Sequence, residues 1–185
     1  MKTGIEKFTN IIDKKLCIQL IDYLETNIEY AVDRHHGQNY ENVECKQTVL
    51  PNQSDLDLQV KKSMYKITDA YAKIYKWFGC HSDSGYQLRK ITGKTKTHVD
   101  NIFTNNVQTR NKLRIISVII GLNNDFDNGE FSFPYQEYKT TLKRGEALAF
   151  PVYFTYPHGV DAPTNGFRYT INTWFFENPR SPMLG

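Results

Sequence analysis

Residues 113–150 read LRIISVIIGLNNDFDNGEFSFPYQEYKTTLKRGEALAF, and the rhythm of this stretch decides the fold. Four short β-like runs, 113–122, 130–133, 138–142 and 147–150, are separated by turn signals, notably Asp127-Asn128-Gly129 and Lys143-Arg144-Gly145. The same pattern continues outward, to runs at 86–92 and 97–102 on one side and, past Thr164-Asn165-Gly166, to 167–176 on the other. Seven or eight short strands at this spacing predict a sandwich or jelly roll rather than a parallel α/β sheet.

Upstream of Gly79 the period changes to that of helices. Over 13–28, Leu16, Leu20, Ile21 and Leu24 recur at helical spacing behind Asp13, a fitting N-cap. A second helix begins after Ser54 and carries Leu56, Val60, Met64, Ile67, Tyr71, Ile74 and Phe78 on one face, with Gly79 as its stop. Between them, 31–53 reads as mostly loop, with room for a short strand over 43–50. Helices first and strands after is an α+β order, mainly β, with the helices packed on one face of the sheet. The length of 185 residues fits one domain. It divides into helical support and loop over 1–80, a jelly-roll core over 81–178 and a tail over 179–185.

Composition excludes several classes. Lys plus Arg is 23 and Asp plus Glu 20, a formal charge of +3, too mild to argue for a nucleic-acid or membrane partner. Cys17, Cys45 and Cys80 form neither a CxxC pair nor an even framework, and the opening MKTGIEKFTN lacks the apolar segment of a signal peptide. A reducing, cytoplasmic setting is the expectation. The longest apolar run, 115–122, is broken by Ser117 and Gly121 and suits a buried strand better than a membrane span.

There is no GxGxxG, Walker loop, GxSxG elbow, HExxH or zinc-ribbon spacing. What remains is Thr97-His98-Val99-Asp100, in a stretch that reads as strand. Alternation there puts the imidazole and the carboxylate on one face, where they can take adjacent corners of one metal's coordination sphere. A second histidine, His158 in Pro157-His158-Gly159-Val160, would make three. Two His and one carboxylate on one face of an octahedron characterise non-haem Fe(II) oxygenases: a bidentate 2-oxo acid takes two of the open positions and dioxygen the third. Arg168 follows ten residues after His158 and opens the last strand, where its guanidinium fork can bind the distal carboxylate of 2-oxoglutarate.

With those residues in place, the chain resembles the prolyl hydroxylase branch of the Fe(II)/2-oxoglutarate dioxygenases, both the prolyl 4-hydroxylases and the oxygen-sensing prolyl hydroxylases. The likeness rests on 98–101 (HVDN), 113–123, 128–131, 145–150, 157–160 and 168–174, in the family's order and spacing. It implies a double-stranded β-helix with N-terminal supporting helices, and His98, Asp100 and His158 as ligands of Fe(II). Arg168 is implied to pair with the distal carboxylate of 2-oxoglutarate, and Trp174 and Arg114 to face substrate. The implied reaction decarboxylates 2-oxoglutarate to succinate and carbon dioxide while O2 is used to hydroxylate an unactivated C–H, most fittingly of a prolyl residue in a peptide or protein. Ascorbate is admitted as an auxiliary reductant.

The chain departs from the family at two tyrosines that help hold 2-oxoglutarate. One place holds Arg89 or Lys90 and the other Gly121, with Thr170 or Ser117 as candidate compensating hydroxyls. A nucleic-acid demethylase of the same iron chemistry would carry a second arginine six residues after the first, where this chain has Trp174. A non-catalytic jelly-roll or cupin-like binding module is the alternative of another class, and it would not require Arg168 at its spacing. Lys90, Lys94 and Lys96 fit either a positive rim to the site or a solvated basic turn, and the adjacent His35 and His36 cannot readily chelate one ion. Substrate selection is expected in the polar loops 31–53 and 101–112.

Overall fold

The structure is a computed structural model and describes residues 3–35, 43–101 and 113–177. In chain order its elements are β1 (Glu6–Phe8), α1 (Lys14–Thr26), β2 (Val32–Arg34), β3 (Val43–Val49), α2 (Asp55–Ile74), β4 (Cys80–Asp83), β5 (Gln87–His98) and β6 (Arg114–Gly121). There follow β7 (Asp127–Asn128), β8 (Phe131–Phe133), β9 (Tyr138–Thr140), β10 (Ala147–Pro151), β11 (His158–Val160), β12 (Pro163–Thr164) and β13 (Arg168–Glu177).

Both helices start where their caps predict. Asp13 accepts the Leu16 N–H at 2.8 Å and Ser54 the Asp57 N–H at 3.2 Å, each satisfying a donor that the first turn leaves free. The apolar stripe of α1 buries Leu16, Cys17, Leu20 and Leu24. α2 ends at Ile74 instead of running to Phe78. Tyr75 turns extended, and its hydroxyl donates to Glu6 Oε1 at 2.7 Å while accepting the Gly4 N–H at 3.0 Å. Contacts with the distant N-terminal segment thus override the local periodicity.

An antiparallel sheet of 11 strands curls in the order β1-β10-β6-β13-β5-β11-β8-β9, with β3 and β2 added beside β5 and β4 beside β13. β5 is the hinge of this curl. Its first part pairs with β13, from Arg168↔Ile91 to Asn172↔Gln87, and its end pairs with β11, where His158 stands opposite His98. The expected pair of strands at 86–92 and 97–102 is therefore one strand that stops at His98, because it has hydrogen-bonding partners along its whole length. Ile102 lies outside the described residues.

The segment 31–53 is less of a loop than expected. β3 alternates buried Val43, Cys45 and Gln47 with more exposed neighbours and pairs with β5 from Val43↔Thr95 to Val49↔Gln87. The short strand that the sequence left room for over 43–50 is present, held by β5 on one side and β2 on the other.

Alternation gives the central strands two different faces. Leu88, Ile116, Val118, Ile120, Ile171 and Phe175 pack outward against the buried stripes of α1 and α2. Arg89, Ser117, Ile119, Thr170, Asn172 and Trp174 point the other way, into the roll. The opposite wall is a second apolar cluster that includes Phe131, Phe133, Leu148, Phe150 and Val160. Turns marked by Gly in the sequence have the backbone that glycine permits: Asn128 and Gly129 have φ of 63° and 75°, and Gly145 has φ of 76°.

Candidate active site

A cavity of about 820 Å³ opens inside the roll, and His98, Asp100, His158, Arg168, Thr170, Arg114 and Trp174 all line it. Every site residue expected from the sequence is therefore brought to one space. One candidate ligand of each of His98, Asp100 and His158 lies within 4.8 Å of the others, a group able to hold a metal ion. Asp100, expected on a strand, lies just past the end of β5. It shares a side with His98 because its loop is tied down. The Asn101 N–H donates to Val152 O at 3.1 Å, and Arg114 Nη1 donates to Asp100 O at 3.1 Å.

The two imidazoles are oriented by backbone carbonyls. Nδ1 of His98 lies 2.8 Å from Lys96 O, and Nδ1 of His158 lies 3.2 Å from Tyr156 O. A carbonyl only accepts, so both Nδ1 atoms carry the proton, and each Nε2 is left to turn towards Asp100. The Nε2 atoms are 3.1 Å (His98) and 3.8 Å (His158) from Asp100 Oδ1. His158 is 3% exposed and enclosed by Phe133, stacked at 5.4 Å, and Phe150, edge-on at 4.6 Å.

Metal binding needs a carboxylate and neutral imidazoles, so a metal would displace the proton that Asp100 draws onto His98. Burial pushes the Asp100 carboxyl up, but the facing His158 and the hydrogen-bonded His98 outweigh it and hold it well below the usual carboxylate range. Burial pushes His158 down, against the pull of Asp100, so its imidazole is neutral. Burial also opposes charge on His98, but its bond to Asp100 prevails and raises it. With that proton displaced, two imidazole nitrogens and a carboxylate oxygen face one point, and N, N and O donors in that arrangement suit Fe(II).

Arg168 is 4% exposed, and its Nε and Nη1 have no hydrogen-bond partner among the described residues. Its guanidinium lies 5.1 Å from the centre of the Phe131 ring. Burial is the main influence on it, with Arg89 adding repulsion, and its pKa falls to about 10, still cationic at neutral pH. A buried guanidinium without a carboxylate is costly, and the planar carboxylate of a 2-oxo acid fits its fork. Ser117 Oγ and Asn172 Oδ1, which line the same cavity, are likewise buried without partners among the described residues. Thr170 is buried directly opposite Arg89 in the β13–β5 register.

Other expectations need revision. Of the two residues in the place of a family tyrosine, Arg89 faces the cavity. Lys90 faces α1, bound to Glu25 at 3.0 Å, and so forms no part of a rim to the site. Lys94 and Lys96 are exposed on the face of β5 opposite to Thr95. Arg114 does more than face substrate, since it stacks on the Trp174 ring at 3.8 Å and braces Asp100. The sequence reading missed Arg34, Gln47 and Gln87. Gln87 was recoverable by counting in steps of two from Arg89, Gln47 lies on the short strand allowed over 43–50, and Arg34 sits on a strand that was taken for loop. His35 is exposed, and His36 lies outside the described residues.

Comparison with known proteins agrees with this geometry. Residues 76–176 match the model of the 2OG-Fe(II) oxygenase superfamily. Prolyl 3-hydroxylase 1 of Homo sapiens is 40% identical over 72 residues, which cover 36% of this chain and 10% of that protein, and prolyl 3-hydroxylase 2 of Mus musculus is 37% identical over 71. The chain thus corresponds to a small part of these relatives. A viral collagen prolyl hydroxylase from Paramecium Bursaria Chlorella virus-1, solved as its 2OG complex, superposes with a TM-score of 0.73 at 16% identity, covering 94% of this chain and 96% of the other. A Pseudomonas putida prolyl-4-hydroxylase gives 0.74 at 14% identity, covering 95% and 94%. These two share the jelly-roll fold with it. By its matched residues the chain belongs to the 2OG-Fe(II) oxygenase superfamily.

Proposed function

We propose that the chain is an iron- and 2-oxoglutarate-dependent dioxygenase that hydroxylates a prolyl residue of a peptide or protein, with His98, Asp100 and His158 holding Fe(II) and Arg168 pairing with the distal carboxylate of 2-oxoglutarate. One observation carries the assignment of residues: three metal-ligating atoms converge in the same cavity that holds a buried guanidinium with two unpartnered nitrogens. When bound, iron and the 2-oxo acid supply the oxidising chemistry, coupling decarboxylation to hydroxylation of a C–H bond. The protein's part is to hold and to shield. His98 and His158 keep their Nε2 atoms turned to one point through the carbonyls of Lys96 and Tyr156. Arg114 fixes the backbone of Asp100, and Phe133 and Phe150 keep water from His158. Thr170 and Ser117 offer hydroxyls to the cosubstrate, and Trp174 and Arg114 stand on the substrate side.

The prolyl assignment draws support from the relatives, which are named prolyl 3-hydroxylases, collagen prolyl hydroxylase and prolyl-4-hydroxylase. A peptide substrate draws support from a Trichoplax adhaerens prolyl hydroxylase, solved with a hypoxia inducible factor peptide fragment (TM-score 0.70 at 14% identity). We further propose that residues 1–185 act as one catalytic unit, with 81–178 as its core, in a reducing, cytoplasmic setting. Three cysteines without a disulfide support that setting, and no helix among the described residues is long and apolar enough to cross a membrane.

The test is an anaerobic visible spectrum as Fe(II) and then 2-oxoglutarate are added, followed by turnover of proline peptides. A metal-to-2-oxo-acid band that is lost in His158→Ala and needs far more 2-oxoglutarate in Arg168→Leu is the expected result. Absence of the band in the wild type would favour a jelly-roll binding module, and a band without hydroxylated proline would sink the prolyl assignment.

A further inference from the structure

The cavity holds more positive charge than its cosubstrate uses. Among its described lining residues Asp100 is the one carboxylate, against Arg89, Arg114, Arg168 and Arg34. Even with Arg34 left aside, the three other guanidinium groups exceed the carboxylate by two charges. Resting on the oxygenase reading, a divalent metal and a doubly ionised 2-oxo acid cancel each other, so loading leaves that surplus unchanged. The distal carboxylate answers Arg168, which leaves Arg89 and Arg114 facing the space beside the metal site.

Both are held in place by neutral groups that orient without neutralising. Arg89 donates from Nε to Gln47 Oε1 and from Nη2 to Gln87 Oε1, each at 2.8 Å. Its Nη1 makes no hydrogen bond among the described residues, and Arg89 lines the cavity. Arg114 spends Nη1 on a backbone carbonyl. The two guanidinium carbons lie 5.9 Å and 3.8 Å from the centre of the same Trp174 ring. Burial depresses both groups, Asp100 offsets this only in part, and Arg89 repels Arg114 further. Holding two cations together in a walled cavity is costly unless an anion joins them.

We propose that Arg89 and Arg114, gathered on the Trp174 indole, form a second anion-binding subsite that takes an aspartate or glutamate side chain of the peptide substrate, next to the residue that is oxidised. Guanidinium pairs suit this role because each binds a carboxylate through paired, directed N–H groups.

The test measures binding of acetylated tetrapeptide amides containing Glu-Pro or Pro-Glu, and of their Gln counterparts, to the protein loaded anaerobically with Fe(II) and 2-oxoglutarate. The visible band is recorded on the same samples. One of the Glu peptides should bind at least about tenfold more tightly than its Gln partner, the size of a charge-assisted bond. That preference should fall close to unity in Arg89→Gln and in Arg114→Gln. Equal affinities in the wild type, or a preference that survives both substitutions, would overturn the subsite. Loss of the band in Arg89→Gln would do so too, since it would assign Arg89 to the cosubstrate, and N-acetylglutamate binding as tightly as the peptides would remove the peptide from the assignment. A missing band in the wild type instead strikes the oxygenase reading on which the subsite rests.

Discussion

Asp100 is held ionised, burial opposes charge on His158, and both imidazoles spend their Nδ1 protons on carbonyls, so the triad offers three donor atoms to one cation. Asp100→Ala or His158→Ala should therefore lower Fe(II) or Mn(II) affinity by about a hundredfold or more while leaving the far-ultraviolet circular dichroism unchanged. Calorimetric metal titration checks this, and undiminished binding would remove the residue from the ligand set. Arg168→Leu should cost about 2–3 kcal/mol of 2-oxoglutarate binding, roughly a hundredfold, because a buried charge-assisted pair is lost. A metal-loaded titration with 2-oxoglutarate reads it directly, and an unchanged midpoint would contradict the role. Neither prediction depends on knowing the substrate.

α1 is fastened to the back of the site by Glu25, which accepts from the Tyr169 hydroxyl at 2.6 Å and pairs with Lys90 at 3.0 Å. Burial pushes the Glu25 carboxyl up, but Tyr169 and Lys90 together outweigh it and hold it below its ordinary value. A depressed carboxyl stabilises the fold above its unfolded pKa, and the gain is lost as pH falls through the folded pKa. Because Glu25 is 38% exposed, water and salt screen the pair. Glu25→Gln should cost only about 0.5–1 kcal/mol at neutral pH, and the difference from wild type should shrink in acid. Urea unfolding at several pH values checks both size and sign. The turn before β10 is less forgiving: Gly145 has φ of 76°, and a Cβ there would stand 2.5 Å from the Ile12 carbonyl oxygen. Gly145→Ala should destabilise by about 1–3 kcal/mol through backbone strain and that clash, read as a lower urea midpoint.

The triad also joins distant parts of the chain, because His98 ends β5 and His158 begins β11, facing each other across the curl of the sheet. A ligand that binds only the folded form adds stability by mass action, about 2.7 kcal/mol at a hundred times its Kd. Mn(II) should raise Tm and a chelator should reverse the rise, whereas His158→Ala should abolish the shift. An equal shift in that variant would mean the metal acts elsewhere on the molecule.

Local information was enough for much of this. Side-chain caps at Asp13 and Ser54, the stripes of α1 and α2, the Asn-Gly and Arg-Gly turns and the short alternating strands are properties of neighbouring residues, and so they could be read directly. The HxD pair, His158 and Arg168 were legible because metal and carboxylate chemistry restricts which side chains can serve. What the chain alone left open lay between remote segments: whether Arg89 or Lys90 faces the site, that β5 is continuous, and where α2 stops. Those outcomes depend on partners forty or more residues away, such as Gln47 for Arg89 and Glu6 for Tyr75. Strand pairing and the cavity's surplus of guanidinium groups exist only once the sheet has curled, because hydrogen-bond register and burial are properties of the assembled fold.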